Sequence, residues 1–296
     1  MEEQNMSRFR KAKIEDKEAI DEILTKCDCP SLEYNFTTLF LWQDIFDMEF
    51  KIEDGVLFIR SGRDKKSYLF PCGTGDIDSA IKKLLEENVR FYSVSEKNKV
   101  YLESVAPGRF EFIESRNDGD YVYLRESLAT LSGKKLSSKR NHINRFITEN
   151  PDWNYEEITP ENIEEVVKMH EKWCQIVDDS SKKGLSDETK VVKRALAYFD
   201  ELKLSGGIIR CRGEVVAFSL GDRLNDKTFL VHIEKAFSHI TGAYQIINKE
   251  FVLHNCMDYE FVNREDDTGD ENLRKAKLSY KPVEIVKKYE AKERKV

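Results

Sequence analysis

The stretch GGIIRCRGEVVAFSLGDRLNDKTFLVHIEKA, residues 206–236, decides the fold class. Ile208–Cys211 and Val215–Leu220 are apolar runs on either side of Arg212-Gly213-Glu214, the pattern of two strands joined by a tight hairpin. A third run, Thr228–Ile233, leads to a helical pattern at Gly242–His254, a strand at Tyr259–Asn263 and a helix from Gly269 to Leu278. A hairpin followed by strand, helix and strand describes a mixed sheet flanked by helices, not a doubly wound parallel sheet.

Working outward, Lys134–Glu149 reads as a basic connector helix and Trp153–Ile158 as extended chain. Pro160 suits the first turn of a helix over Glu161–Val177, and another helix spans Thr189–Leu204 before Gly206-Gly207. The first half repeats this order. Helices are expected at Ile14–Leu24 and around Leu39–Phe46. Strands at Phe50–Ile52 and Val56–Ile59 flank Glu53-Asp54-Gly55, and Tyr68–Phe70 extends the series. A helix at Ile77–Glu87 and strands at Arg90–Val94 and Tyr121–Tyr123 follow. The expectation is an α/β (α+β) chain of two domains, 1–125 and 126–296.

Of the 296 residues, 40% are hydrophobic and 35% charged, a balance that folds and stays in solution. No apolar run approaches the roughly 18 residues of a membrane span. Met1–Asn5 is polar and acidic without a signal pattern, so a cytoplasmic location is expected. Six cysteines are scattered; Cys27 and Cys29 are close but lack a second ligand pair, so reduced thiols and no metal are expected. The net charge of −7 weighs against a partner held by bulk attraction to nucleic acid or anionic membrane.

Four stretches bear chemistry. Residues 134–145 hold five positive charges and no acid. Lys135 and Lys139 align with His142 on one helical face, with Leu136, Ile143 and Ile147 on another. Lys135, Lys139, Arg140 and Arg145 are therefore candidates for gripping a phosphate or other anion, against the plainer reading of a solvated helix face. On the strand 228–236, alternation puts His232 and Glu234 on one side, suited to proton transfer. Gly242 opens a helix carrying Tyr244 and Asn248, a place where anions bind. Asn263-Arg264-Glu265 ends a strand, where α/β sites gather; the acids and bases that follow in 266–277 are largely accounted for by helix electrostatics.

Lys134–Phe146 (KKLSSKRNHINRF), His232–Tyr244 (HIEKAFSHITGAY) and Asn263–Tyr280 (NREDDTGDENLRKAKLSY) resemble proteins grouped with the C-terminal domain of phosphatidylglycerol lysyltransferase. Tyr34-Asn35-Phe36 and Leu39–Trp42 extend the resemblance over nearly the whole chain. It implies two tandem GNAT-like acyltransferase domains, each a mostly antiparallel mixed sheet flanked by helices. It also implies kinship with enzymes that move an aminoacyl group from aminoacyl-tRNA to a lipid. Two departures stand out. The long membrane region of the lysyltransferases has no counterpart. The stretch Ser238–Ala243 lacks the first basic or amide residue and the first glycine of the GNAT acetyl-CoA loop.

The expectation is thus an acyl or aminoacyl transferase acting on an amine or hydroxyl of a small molecule or lipid head group. Aminoacyl-tRNA and acyl-CoA are the candidate donors, and tRNA is a candidate partner. Glu234 or His232 would handle the proton, and Lys235 or Arg264 would stabilise charge. Asn263, Glu265, Asp267, Tyr244, Asn248, Arg274, Lys277 and Tyr280 would contact substrate. The alternatives are a non-catalytic anion- or RNA-binding module on the same fold and an acyl-CoA-dependent N-acyltransferase.

Overall fold

The structure, a computed structural model, describes residues 8–27, 29–176 and 182–294. The expectations for Met1–Asn5 and for Val177 lie outside these residues. Two compact units emerge: residues 1–120 with 266–271 and 285–296, and residues 121–265 with 272–284.

The first unit carries helices α1 (Lys17–Cys27), α2 (Phe36–Trp42), α3 (Ile77–Leu85) and α4 (Glu96–Val105). Its strands are β1 (Glu49–Glu53), β2 (Val56–Ser61), β3 (Ser67–Leu69), β4 (Cys72–Gly73), β5 (Arg90–Val94) and β6 (Phe110–Glu114). The β1–β2 hairpin turns on Asp54 and Gly55, both at positive φ, as a two-residue loop matched to strand twist requires. β3 and β5 run parallel, joined through α3, whose cap is the Asp76 carboxylate accepting from the Ser79 amide at 3.0 Å. Phe58, Tyr68, Phe91 and Phe110 fill the core against α3 and α4.

The sheet is completed from the far end of the chain. A strand over Tyr289–Glu293 hydrogen-bonds to both β5 and β6, although the sequence division counted it with the second domain. Just before it, Lys288 is fully buried, its ammonium 2.6 Å from Asp120 and 2.9 Å from Glu33. Ser93 also donates to Glu33, at 2.6 Å. Burial opposes charge on Lys288, but the two carboxylates outweigh it and raise its pKa.

The second unit begins on β7 (Asp120–Leu124) and α5 (Arg125–Thr130), followed by α6 (Ser137–Glu149), β8 (Asn154–Glu157), α7 (Ile163–Ile176) and α8 (Lys182–Ala197). Then come β9 (Ser205–Cys211), β10 (Glu214–Arg223), β11 (Thr228–Ala236), α9 (Ala243–Asn255), β12 (Phe261–Asn263) and α10 (Glu271–Ser279). Its sheet runs β7–β12–β11–β10–β9–β8, antiparallel except for β11 beside β12. The β9–β10 hairpin turns on Arg212 and Gly213, again both at positive φ. The expectation of mixed, mostly antiparallel sheets flanked by helices holds in both units.

One feature of this sheet creates the site. β11 pairs with β12 only over Thr228–Leu230, then runs on alone along that edge to Ala236. The two strands part where Asn263 ends β12, and His232 and Glu234 lie beyond the split.

Gly242 caps α9 at φ +86°, and a Cβ there would come within 2.3 Å of the His142 carbonyl of α6. Gly242→Ala therefore combines left-handed strain with a backbone clash, and is expected to cost more than about 2 kcal/mol. A denaturant midpoint unchanged from the wild type would contradict this packing of α6 on α9.

Candidate active site

Glu234 stands at the centre. Its Oε1 accepts from Nη2 of Arg264 at 2.7 Å, and its Oε2 accepts from Nδ2 of Asn248 on α9 at 3.0 Å. The ion pair is nearly dry, with side chains 12% and 10% exposed. Burial opposes the Arg264 charge, yet Glu234 outweighs it and raises the guanidinium pKa. The guanidinium also lies over Tyr280 at 4.9 Å and Tyr123 at 5.6 Å.

Each partner of Glu234 leaves one atom unused. Arg264 Nη1 and Asn248 Oδ1 are two of the six buried side-chain atoms without a hydrogen-bond partner among the described residues. An unmade buried hydrogen bond costs about 1–3 kcal/mol, so an orphaned donor and acceptor around one carboxylate make this cluster the candidate site. Solvent reaches neither atom, so the cluster must open before a ligand meets them.

Lys139 reaches the same cluster from α6, its ammonium 4.1 Å from the Tyr280 ring centre. It is 9% exposed and has no ion-pair partner among the described residues; burial first, and then the Arg264 charge, lower its pKa against the opposing pull of Glu234. Helical periodicity aligns Lys139 with Lys135 and His142, away from the face of Leu136, Ile143 and Ile147. In the structure Leu136, Lys139, Ile143 and Phe146 form the buried stripe, spaced by three, four and three residues, and Ile147 falls outside it. The rest of the basic patch does not converge here. Arg140 donates to the carbonyls of Leu131 and Gly133, Arg145 pairs with Glu149 at 2.7 Å, and Lys135 is exposed.

The other expected residues separate into three groups. Lys277 donates to the Arg264 carbonyl at 2.6 Å, and its own carbonyl accepts from the Tyr123 hydroxyl at 2.8 Å. Asn263 is buried and accepts from the Glu265 amide at 2.7 Å. These two shape the backbone of the cluster. Arg274 shares α10 with Lys277. Lys235 points elsewhere: it pairs with Glu188 at 2.5 Å and sits over Trp173, together with the half-buried Tyr244. Asp267 belongs to the first unit, where it takes Arg116 at 3.3 Å and the Gly269 amide at 2.9 Å.

His232 lies between Asp222 on Nε2 and Glu265 on Nδ1, each at 3.0 Å. Burial disfavours its charge, but the two carboxylates prevail and hold its pKa at about 10, against 6.5 for the free side chain. A group raised in this way stabilises the fold fully below pH 6.5 and loses that contribution as pH rises towards 10. Stability should fall by up to about 1.4 kcal/mol per pH unit within that window. Denaturation of His232→Gln should lack this slope; a slope equal to the wild type's would contradict the charged state.

Tyr123 and Asp222 carried no signal in the sequence, because their roles depend on which strands lie side by side. A cavity of about 520 Å³ lies apart from the cluster, lined by Glu149, Cys211, Arg212, Glu214, His239 and Thr241 among others. It borders the loop Ser238–Gly242 through His239, Ile240 and Thr241. No group of three His, Cys, Asp or Glu side chains among the described residues could hold a metal ion, and no helix among them is long and apolar enough to cross a membrane.

Comparison with known proteins places this geometry in context. The family described as phosphatidylglycerol lysyltransferase, C-terminal, matches residues 30–292. A conserved protein of unknown function from Bacteroides thetaiotaomicron is 38% identical and superposes with a TM-score of 0.92, covering 98% of this chain and 100% of that one. The C-terminal domain of a putative lysylphosphatidylglycerol synthetase from Agrobacterium fabrum shares the fold at 14% identity, with a TM-score of 0.65 over 94% of this chain and 91% of that one. An uncharacterized protein of Mycoplasmoides gallisepticum is 26% identical over 211 residues, 64% of each protein.

Proposed function

The chain belongs to the family of phosphatidylglycerol lysyltransferase C-terminal domains, and on that premise we propose that it is an acyl or aminoacyl transferase whose site is the Glu234–Arg264 cluster. The observation that carries this reading is the pair of orphaned atoms, Arg264 Nη1 and Asn248 Oδ1, on either side of the Glu234 carboxylate.

In this role Glu234 takes the proton from the attacking amine or hydroxyl. The carbonyl oxygen of the donor gains charge as the new bond forms, and Arg264 Nη1 offers it a preorganised donor. As the adduct collapses, the donor's ester bond (or the thioester of an acyl-CoA) breaks, and the Glu234 carboxyl returns the proton to the leaving oxygen or sulfur. Asn248 Oδ1 accepts from a donor group of the substrate, such as an amine. The Lys139 ammonium, which has no ion-pair partner among the described residues, faces an anionic part of donor or acceptor. Opening of the cluster admits the substrate, and its closure excludes water from the acyl group.

Aminoacyl-tRNA is favoured over acyl-CoA as donor. The loop Ser238–Ala243 lacks the first basic or amide residue and the first glycine of the acetyl-CoA signature. A ligand at one hundred times its dissociation constant stabilises the folded chain by about 2.7 kcal/mol. Thermal unfolding with uncharged tRNA, charged tRNA and a panel of acyl-CoAs should show a rise with charged tRNA that Lys139→Met reduces. A rise with acyl-CoAs alone would reverse the choice of donor.

A further inference from the structure

The chain reverses abruptly where β12 ends. Glu265 sits at φ +55°, a left-handed conformation that a non-glycine residue adopts only under constraint. The constraints are visible. The Arg264 amide donates to Tyr121 at 2.9 Å, the Tyr121 amide donates to the Glu265 carbonyl at 3.0 Å, and Asn263 Oδ1 accepts from the Glu265 amide. These bonds fix the main chain. The Glu265 carboxylate has one partner among the described residues, Nδ1 of His232.

His232 is two residues before Glu234 on β11, and Glu265 follows Arg264 directly. Two ionic links therefore span the open edge of the split side by side, His232 to Glu265 and Glu234 to Arg264. Both imidazole nitrogens are occupied by carboxylates in a site only 4% exposed, so His232 has no free nitrogen with which to take a proton from a substrate. Asp222 on the neighbouring strand β10 anchors its far side.

We propose that His232 is a positioning residue: clamped by Asp222, it grips Glu265 and so holds the strained Arg264–Glu265 turn that delivers Arg264 to Glu234 across the split. Its functional meaning rests on the transfer reading above, but the experiment that tests it needs no substrate.

Guanidinium protons exchange slowly with water while an arginine is held in a buried pair, and nitrogen-15 NMR of the full chain reads this for Arg264. Glu265→Ala removes the carboxylate that His232 grips, from a side chain that is 21% exposed. Exchange at Arg264 should become about tenfold faster as local opening becomes easier. Glu265→Gln, whose amide oxygen still accepts from Nδ1, should keep the wild-type rate, and His232→Gln should reproduce the alanine result. Arg210, held by Glu156 and Glu165 in the same unit, is the internal reference and should stay slow in every variant. Wild-type exchange at Arg264 in Glu265→Ala overturns the proposal. So does equal acceleration at Arg210, which would signal general loosening. If the NMR pattern holds while no donor is ever used, the transfer reading fails and the positioning of Arg264 stands.

Discussion

Lys288→Met is expected to destabilise the first unit by about 3–5 kcal/mol, the cost of breaking a buried ion pair from one side. The ammonium is 1% exposed and answers two carboxylates, Asp120 at 0% and Glu33 at 14%. Methionine matches its length but leaves both acids buried without a cation. The pH dependence should reverse with it. Burial disfavours the Glu33 anion, but Lys288 and two serine hydroxyls overcome this and lower its pKa. In the wild type that contribution is present above the unfolded pKa of 4.5 and lost as pH falls through the lower folded value. In Lys288→Met the acids gain by protonating, so the deficit against the wild type should shrink as pH falls. Urea titrations at pH 7 and pH 5 measure both effects.

Arg264→Met should be nearly as costly, because it leaves the Glu234 carboxylate 12% exposed with the Asn248 amide as its hydrogen-bond donor among the described residues. A loss of about 3 kcal/mol or more is expected. Adding Glu234→Gln should recover a large part of it, since a neutral amide no longer needs a counter-charge. Chemical denaturation of both single variants and the double variant forms the cycle. Additive losses would mean that the two side chains do not sense each other.

These two clusters show what was readable from the sequence. Asp54-Gly55 and Gly213 announced both hairpins, because a two-residue turn at positive φ favours Asp and Gly. His232, Glu234, Arg264 and Asn248 stood out as polar residues at strand ends and on the helix that follows. Their pairing did not, since the Glu234–Arg264 contact depends on where β11 leaves β12, and register has no local signature. Lys139 was assigned to the wrong face because its charge outweighed the three-four-three spacing that buries it. The strand Tyr289–Glu293 (YEAKE) was not recognised. Three of its five residues are charged, and only its position between β5 and β6 makes it a strand. Helix α4 was missed for a similar reason: Leu102 is its one buried residue, and Val100 is 63% exposed.

The central claim is that Glu234 takes the proton in a group transfer. The most direct test follows label from a radioactive amino acid on charged tRNA, and in parallel from a labelled acyl-CoA, into an amine or hydroxyl acceptor. Wild type and Glu234→Gln are compared at matched folded fraction. The amide keeps the shape and the contact with Arg264 but cannot accept the proton, so the rate should fall by about 10²–10⁴. Transfer by Glu234→Gln at the wild-type rate, or no transfer by the wild type from either donor, would contradict it.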